Sequence, residues 1–332
     1  MTHIRDLGPR VGEFAVAPLA ADQVAAVLEV LAGHYGPALD PAHLIPPVQE
    51  AELRAELAAR APQLAELAAA LHDALEDDYS GVVVPRMGLS PLPAAVRSAV
   101  LFALSVGLGR PTATDQVDRR VVWDVKVRPE KLRNGGVSTF SEHPHEADLH
   151  TDTQYFAEPE RYMLLYCLVP AACGGGVSTF RDVQSVHEAL NRTDEGRWAV
   201  EYLTGRDLPF KVPAVFTSTG NASEEEVVFE PIFGTRPAMR FRADTLRRGL
   251  DLHPQLDTPQ LRRALGILVA ELANQEKLVS FRMPADSLQV LNNHESLHGR
   301  TPFTDVSRHL MRIRVASKPT DRCVSANGPA TR

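Results

Sequence analysis

Apolar residues recur every three to four positions over residues 21–35 and again over 48–78, with Ala, Leu and Glu filling the places between. That period puts one face of a helix against a core and leaves the other to solvent. The spacing predicts two helical stretches, the second broken near Pro62, because an interior proline removes a donor and clashes with the preceding turn. Residues 81–84 form an uninterrupted apolar run and read as a short buried strand. A further helix is expected over 93–107, with proline near its start.

From Arg120 onward the pattern changes. Residues 121–127, 162–169 and 227–232 are β-branched or aromatic runs bounded by Pro and Gly, and they read as strands. Helical spacing returns over 182–191 and 258–273, where Leu261, Leu265, Leu268 and Leu272 share a face. Late strands are expected at 278–281, 287–291 and 309–315. Many short strands with helices gathered to one side predict a mainly β fold with flanking helices (α+β), built as an antiparallel barrel or a double-sheet jelly roll. No repeat or low-complexity linker divides the chain. A single domain over residues 1–318 is expected, with 1–118 a mainly helical flank and 119–318 the jelly-roll core with its helical insert. Residues 319–332, rich in Thr, Ser, Asn, Gly and Pro, read as a disordered tail.

Composition narrows the function classes. At 332 residues and 44% hydrophobic content the chain can bury a substantial core. A formal net charge of −7 and the lack of a long Lys/Arg block argue against nucleic acid as a partner, since phosphate binding needs concentrated positive charge. No uncharged apolar run approaches the roughly 18 residues of a membrane span. Cys167, Cys173 and Cys323 have neither the even count of a disulfide framework nor zinc-finger spacing. Charged residues Arg5, Asp6, Arg10 and Glu13 make the N-terminus a poor secretory signal. A cytoplasmic protein that binds neither nucleic acid nor membrane is expected.

Candidate chemistry centres on His150-Thr-Asp152 and the distant His298-Gly-Arg300. Side chains at i and i+2 of a strand share a face, so His150 and Asp152 can offer two ligands to one metal. A third from another strand would make a two-histidine, one-carboxylate set with open positions, the arrangement of non-haem Fe(II) oxygenases. His298 is the candidate, and His294, on the same face by period two, is its rival. Taken alone, an H-x-D tripeptide is weak, and a buried or surface histidine beside an aspartate is the blander reading. Three further features add weight: the glycine run Gly174-Gly175-Gly176 followed by Ser178 and Thr179, the segment His298 to Phe303, and Arg308 to Arg312 on an expected strand. His143 and His145 flank Pro144, which interrupts strand geometry, and they read as polar surface. His309 reads as packed or hydrogen-bonded beside the site, and Trp123, Tyr155 and Phe303 as core or pocket wall.

With these residues the chain resembles the Fe(II)/2-oxoglutarate-dependent dioxygenases of the taurine dioxygenase and clavaminate synthase-like group, over about residues 121–315. The resemblance implies a double-stranded β-helix, jelly-roll and cupin-like. It implies His150, Asp152 and His298 as iron ligands, and an arginine for the distal carboxylate of 2-oxoglutarate some 14 residues beyond the distal histidine. Here 312 − 298 = 14, which points to Arg312. A guanidinium suits that role because its planar fork pairs with a carboxylate through two parallel hydrogen bonds. Ser178 or Thr179 would donate to the same carboxylate, the extra glycine leaving the register open by one.

The implied activity uses O2 and 2-oxoglutarate to oxidise an unactivated C–H bond of a small polar substrate. Hydroxylation is the default outcome, with desaturation or cyclisation as variants. The carboxylate ligand disfavours halogenation, since the family's halogenases lack it. An amino acid or an amino-acid-derived intermediate of secondary metabolism is the expected substrate. Glu146 and Asp148 are candidates for a cationic group on it, Tyr155 for a pocket contact, and Arg314 or Arg308, at even offsets from Arg312, for its carboxylate, with an exposed salt bridge as the default reading of those two arginines. A peptide or protein hydroxylase of the same superfamily and a metal-binding jelly roll without oxygenase activity are the alternatives.

Overall fold

The computed structural model describes residues 1–37, 39–114, 118–129, 140–213, 216, 225–235 and 238–317. The expected tail at 319–332 lies outside the described residues. The chain opens with a hairpin, β1 (Thr2–Gly8) and β2 (Val11–Ala15), followed by α1 (Ala21–Tyr35), α2 (Glu50–Arg60) and α3 (Pro62–Asp77). Pro62 is the first residue of α3, where its missing N–H costs nothing, and it separates the two helices as the spacing predicts. β3 (Gly81–Val84) and α4 (Ala94–Leu108) come next. α4 is buried from Ser98 through Val106, as expected of a helix that is apolar all round.

The hairpin departs from the helical reading of the flank. β1 is largely exposed and carries Arg5 and Asp6, so it lacks the apolar alternation by which a half-buried strand is recognised. β2 nevertheless pairs in parallel with β3, which ties the N-terminus to the main sheet.

Next along the chain are β4 (Arg110–Pro111), β5 (Trp123–Lys126), β6 (Ala147–His150), β7 (Tyr162–Val169) and β8 (Ser178–Asp182). An insert then supplies α5 (Val183–Leu190), α6 (Asp194–Thr204), the ladder of β9 (Leu208–Lys211) with β10 (Val227–Glu230), α7 (Ala243–Leu252) and α8 (Pro259–Leu272). Thr258 caps α8 by accepting from the Leu261 N–H, with Pro259 at the first helical position. The last strands are β11 (Val279–Phe281), β12 (Leu288–Asn292), β13 (Ser296–Arg300) and β14 (His309–Ala316).

The strands form two facing sheets. The larger runs β1-β2-β3-β12-β7-β14-β4, with β5 also paired to β14, and the smaller runs β11-β8-β13-β6. Alternation along β7 and β14 sorts the layers. Tyr162, Leu164 and Tyr166, with Met311, Ile313 and Val315, face α1 to α4 in one apolar cluster. Met163 and Cys167, with Leu310, point inward to two smaller clusters between the sheets. Leu297 of β13 faces the other way, into a cluster formed with the insert helices. Helices thus cover the outer face of each sheet, and each fully buried Leu or Phe contributes about 1.5–3 kcal/mol. The interior between the sheets is where Arg312 and Arg314 stand. Among the described residues no helix is long and apolar enough to cross a membrane.

Candidate metal centre

β6 and β13 are antiparallel neighbours, with His150 directly opposite His298 and the ring centroids 4.3 Å apart. Asp152 lies in a turn beyond the end of β6, so a turn rather than strand alternation brings it to His150. Asn293 secures that turn: its Oδ1 accepts from the Asp152 N–H at 2.7 Å, and its Nδ2 donates to the carbonyls of Asp152 (3.0 Å) and Glu160 (2.9 Å). Asp152 Oδ1 then stands 3.6 Å from His150 Nε2 and 4.0 Å from His298 Nε2. All three side chains are buried, and one ligand atom from each lies within 4.8 Å of the others.

These residues fit a divalent metal. His150 Nδ1 donates to the Asp148 carbonyl at 2.7 Å, which fixes the tautomer and leaves Nε2 with its lone pair toward Asp152. Burial, then the neighbouring His150, pushes the His298 imidazole down to about 3, so it stays neutral and able to ligate. Burial opposes ionisation of Asp152, but Arg314 and then Arg312 outweigh it and hold the carboxyl well below its ordinary range. Ligands about 2.1 Å from one ion sit roughly 3 Å apart, nearer than the 3.6 and 4.0 Å found, so the side chains would draw in slightly around an ion.

The three residues line a pocket with Phe140, Ser178, Arg242, Arg300, Arg308, Arg312 and Arg314. Arg314 donates through Nε to Asp152 Oδ2 at 2.8 Å, and Arg312 Nη1 stands 3.5 Å from the same oxygen. Arg300 is engaged with three backbone carbonyls, those of Phe140, His143 and His145. Arg242 forks onto Asp244 at 2.7 and 3.1 Å and lies over the Phe140 ring. Arg308 is 6% exposed, and among the described residues its guanidinium has no hydrogen-bond or ion-pair partner. It rests against Gly176 at the glycine turn, with the Phe303 ring 5.1 Å away.

The glycine turn is shaped by close approach. A Cβ on Gly175 would stand 2.2 Å from the Pro302 carbonyl oxygen, and Gly176 has φ +69°. Beyond it Ser178 lines the pocket. Thr179 points the other way, its Oγ1 packed where a side chain on Gly299 would sit.

Several expectations are corrected. Glu146 and Asp148 are exposed and do not line the pocket. Period two would have put Asp148 on the His150 face, but a bulge intervenes: His298 pairs with His150 whereas Arg300 pairs with Ala147, so β6 holds one extra residue. Tyr155 is buried outside the pocket, its ring stacked 5.5 Å from that of Phe216. His294 lies in the turn before β13 and donates to the Pro159 carbonyl at 2.8 Å, away from the metal centre. His309 is hydrogen-bonded, as expected, to Asp124 Oδ1 at 2.6 Å, and it does not line the metal pocket. Asn293, which secures the Asp152 turn, and the buried Arg308 are the residues that sequence reasoning underrated.

A family model, taurine catabolism dioxygenase TauD, TfdA family, matches residues 42–314. No curated protein matches the chain. Among solved structures, an asparagine oxygenase in complex with Fe(II), (2S,3S)-3-hydroxyasparagine and succinate is 18% identical, with TM-score 0.65, covering 92% of this chain and 94% of that one. The non-haem iron oxygenase OrfP with Fe, succinate and (3S)-hydroxy-L-Arg is 19% identical, with TM-score 0.61 and the same coverage of both chains. At these identities the likeness establishes a shared fold.

Proposed function

The chain belongs to the taurine catabolism dioxygenase TauD, TfdA family, and on that premise we propose that it is an Fe(II)- and 2-oxoglutarate-dependent dioxygenase that hydroxylates a free amino acid or an amino-acid-derived metabolite. The observation that carries this reading is the buried His150–Asp152–His298 set at the head of an arginine-lined pocket. Iron held there would supply the redox chemistry that couples decarboxylation of 2-oxoglutarate by O2 to oxidation of a C–H bond.

The chain's own residues hold, orient and exclude. His150, Asp152 and His298 would hold the metal, next to the open pocket that they line. Two arginines are candidates for the distal carboxylate of 2-oxoglutarate, and their surroundings differ. Arg312 adjoins Asp152, at the metal end. Arg308 lies at the glycine-turn end, against Gly176, which precedes Ser178 by two residues, and it is buried without a hydrogen-bond or ion-pair partner among the described residues. A buried cation calls for a counter-charge, which favours Arg308 with Ser178 for the distal carboxylate, in place of the Arg312 suggested by spacing. Arg312 would then be left at the metal end, its Nε buried and, among the described residues, unbonded.

An amino-acid substrate is supported by the related folds, since the asparagine oxygenase holds 3-hydroxyasparagine and OrfP holds hydroxyarginine. Free thiols at Cys167 and Cys173 support a reducing, cytoplasmic setting. The net charge of −7 supports small molecules over nucleic acid. The test is succinate release from 2-oxoglutarate across free amino acids and short peptides. Substrate-dependent succinate with a free amino acid is expected; turnover of peptides alone would overturn the choice of substrate, and no succinate with any of them would count against the enzyme reading.

A further inference from the structure

A carboxylate can bind a metal through one oxygen or both, and the χ2 torsion of an aspartate is soft enough to allow either. Asp152 is not left that freedom. Its Oδ1 faces the two imidazole Nε2 atoms at 3.6 and 4.0 Å, while its Oδ2 is turned away and accepts the Arg314 Nε–H at 2.8 Å. Arg314 is 3% exposed and stands on β14, in the larger sheet, between β7 and β4. Asp152 follows β6, at the edge of the smaller sheet. The bond therefore spans the two sheets at the metal centre. The phenyl ring of Phe216 lies 5.4 Å from the guanidinium carbon.

We propose that Arg314 is a positioning residue that commits Asp152 Oδ2 to the guanidinium, so that Asp152 offers a metal Oδ1 alone. A second carboxylate oxygen on the metal would fill a position that co-substrate or O2 needs, so single-oxygen ligation keeps the pocket side open. Partners behind a ligating group govern affinity as well as geometry, and their loss commonly weakens metal binding about 10- to 100-fold. Arg312, 3.5 Å from the same oxygen and without a hydrogen bond to it, does not supply this restraint.

The inference rests on the metal site proposed above, and it is tested by metal binding without turnover. Co(II) serves as the probe, because its visible absorption reports coordination number. Affinity is measured by chelator competition in the wild type, Arg314→Gln and Arg314→Lys. The glutamine variant is expected to bind Co(II) about 10- to 100-fold more weakly, with a spectrum shifted toward higher coordination. The lysine variant, which keeps a cation but loses the Nε–H, is expected to fall between. Wild-type affinity and spectrum in a folded Arg314→Gln would overturn the proposal. If that variant does not fold, an Arg314→Lys protein identical to wild type in both readouts would overturn it equally. Failure of the wild type itself to bind Co(II) would overturn the metal-site reading along with it.

Discussion

His150 and His298 face each other across the β6–β13 ladder, with ring centroids 4.3 Å apart and both Nε2 atoms turned toward Asp152 Oδ1. The pairing register of two strands, rather than any loop, sets their separation. One residue earlier the ladder slips by a bulge, which sends Asp148 to the surface and leaves its carbonyl to hold the His150 ring. Two of the three candidate ligands thus stand on paired strands, and the third on a turn that Asn293 secures.

Removal of Asp152 is not expected to be structurally silent. Asp152→Ala leaves Arg314 and Arg312 buried without their shared carboxylate, and such breakage costs about 3–5 kcal/mol. Denaturant unfolding of the apoprotein should show that loss, and Asp152→Ala combined with Arg314→Met should regain much of it. A single Asp152→Ala as stable as wild type would mean that the arginines do not depend on it.

The two candidate arginines separate by affinity for 2-oxoglutarate. A charge-assisted pair with a carboxylate contributes about 1.5–3 kcal/mol, so Arg308→Gln should weaken 2-oxoglutarate binding by roughly ten-fold or more. Arg312→Gln should weaken it less. Equilibrium binding to the metal-loaded protein under anaerobic conditions measures both, and the reverse order would restore Arg312 to the distal carboxylate.

Acid sensitivity is expected from His143, whose imidazole is pushed down to about 4 from 6.5 by burial first and by Arg300 next. The unfolded chain takes up this proton as the pH falls below 6.5, whereas the folded chain resists it until about 4. Stability contributed by the neutral ring is therefore complete above pH 6.5 and declines through that window. Melting temperatures of the apoprotein between pH 7 and 4, values set by that window, should fall less steeply in His143→Gln. Parallel curves would remove His143 as a source of the slope.

Much of this architecture is legible in the residue pattern. The helical period and Pro62 mark α1 to α3 closely, because each buries one stripe in the apolar cluster beside the larger sheet. The even offsets of Arg308 and Arg314 from Arg312 anticipate that the three arginines line one pocket. The β1–β2 hairpin escapes notice because an exposed edge strand has no core-facing alternation to display. The misplacement of Asp148 comes from a bulge, which depends on how two distant strands register and leaves no local trace. Asn293 escapes for a different reason: in a turn, an asparagine that clamps a ligand is indistinguishable by type from one that merely turns the chain. The spacing of Arg312 from His298 points to one arginine, whereas, of the two and among the described residues, Arg308 is buried without a counter-charge, which no spacing reveals.

The most direct measurement is an anaerobic titration of the apoprotein with Fe(II) and then 2-oxoglutarate, following visible metal-to-ligand charge-transfer absorption in the wild type and in His298→Ala. Absorption that saturates with 2-oxoglutarate in the wild type and is absent from the folded variant is the expected result. Iron bound by the wild type with no such absorption would contradict the oxygenase reading and leave a jelly roll that holds metal without this chemistry.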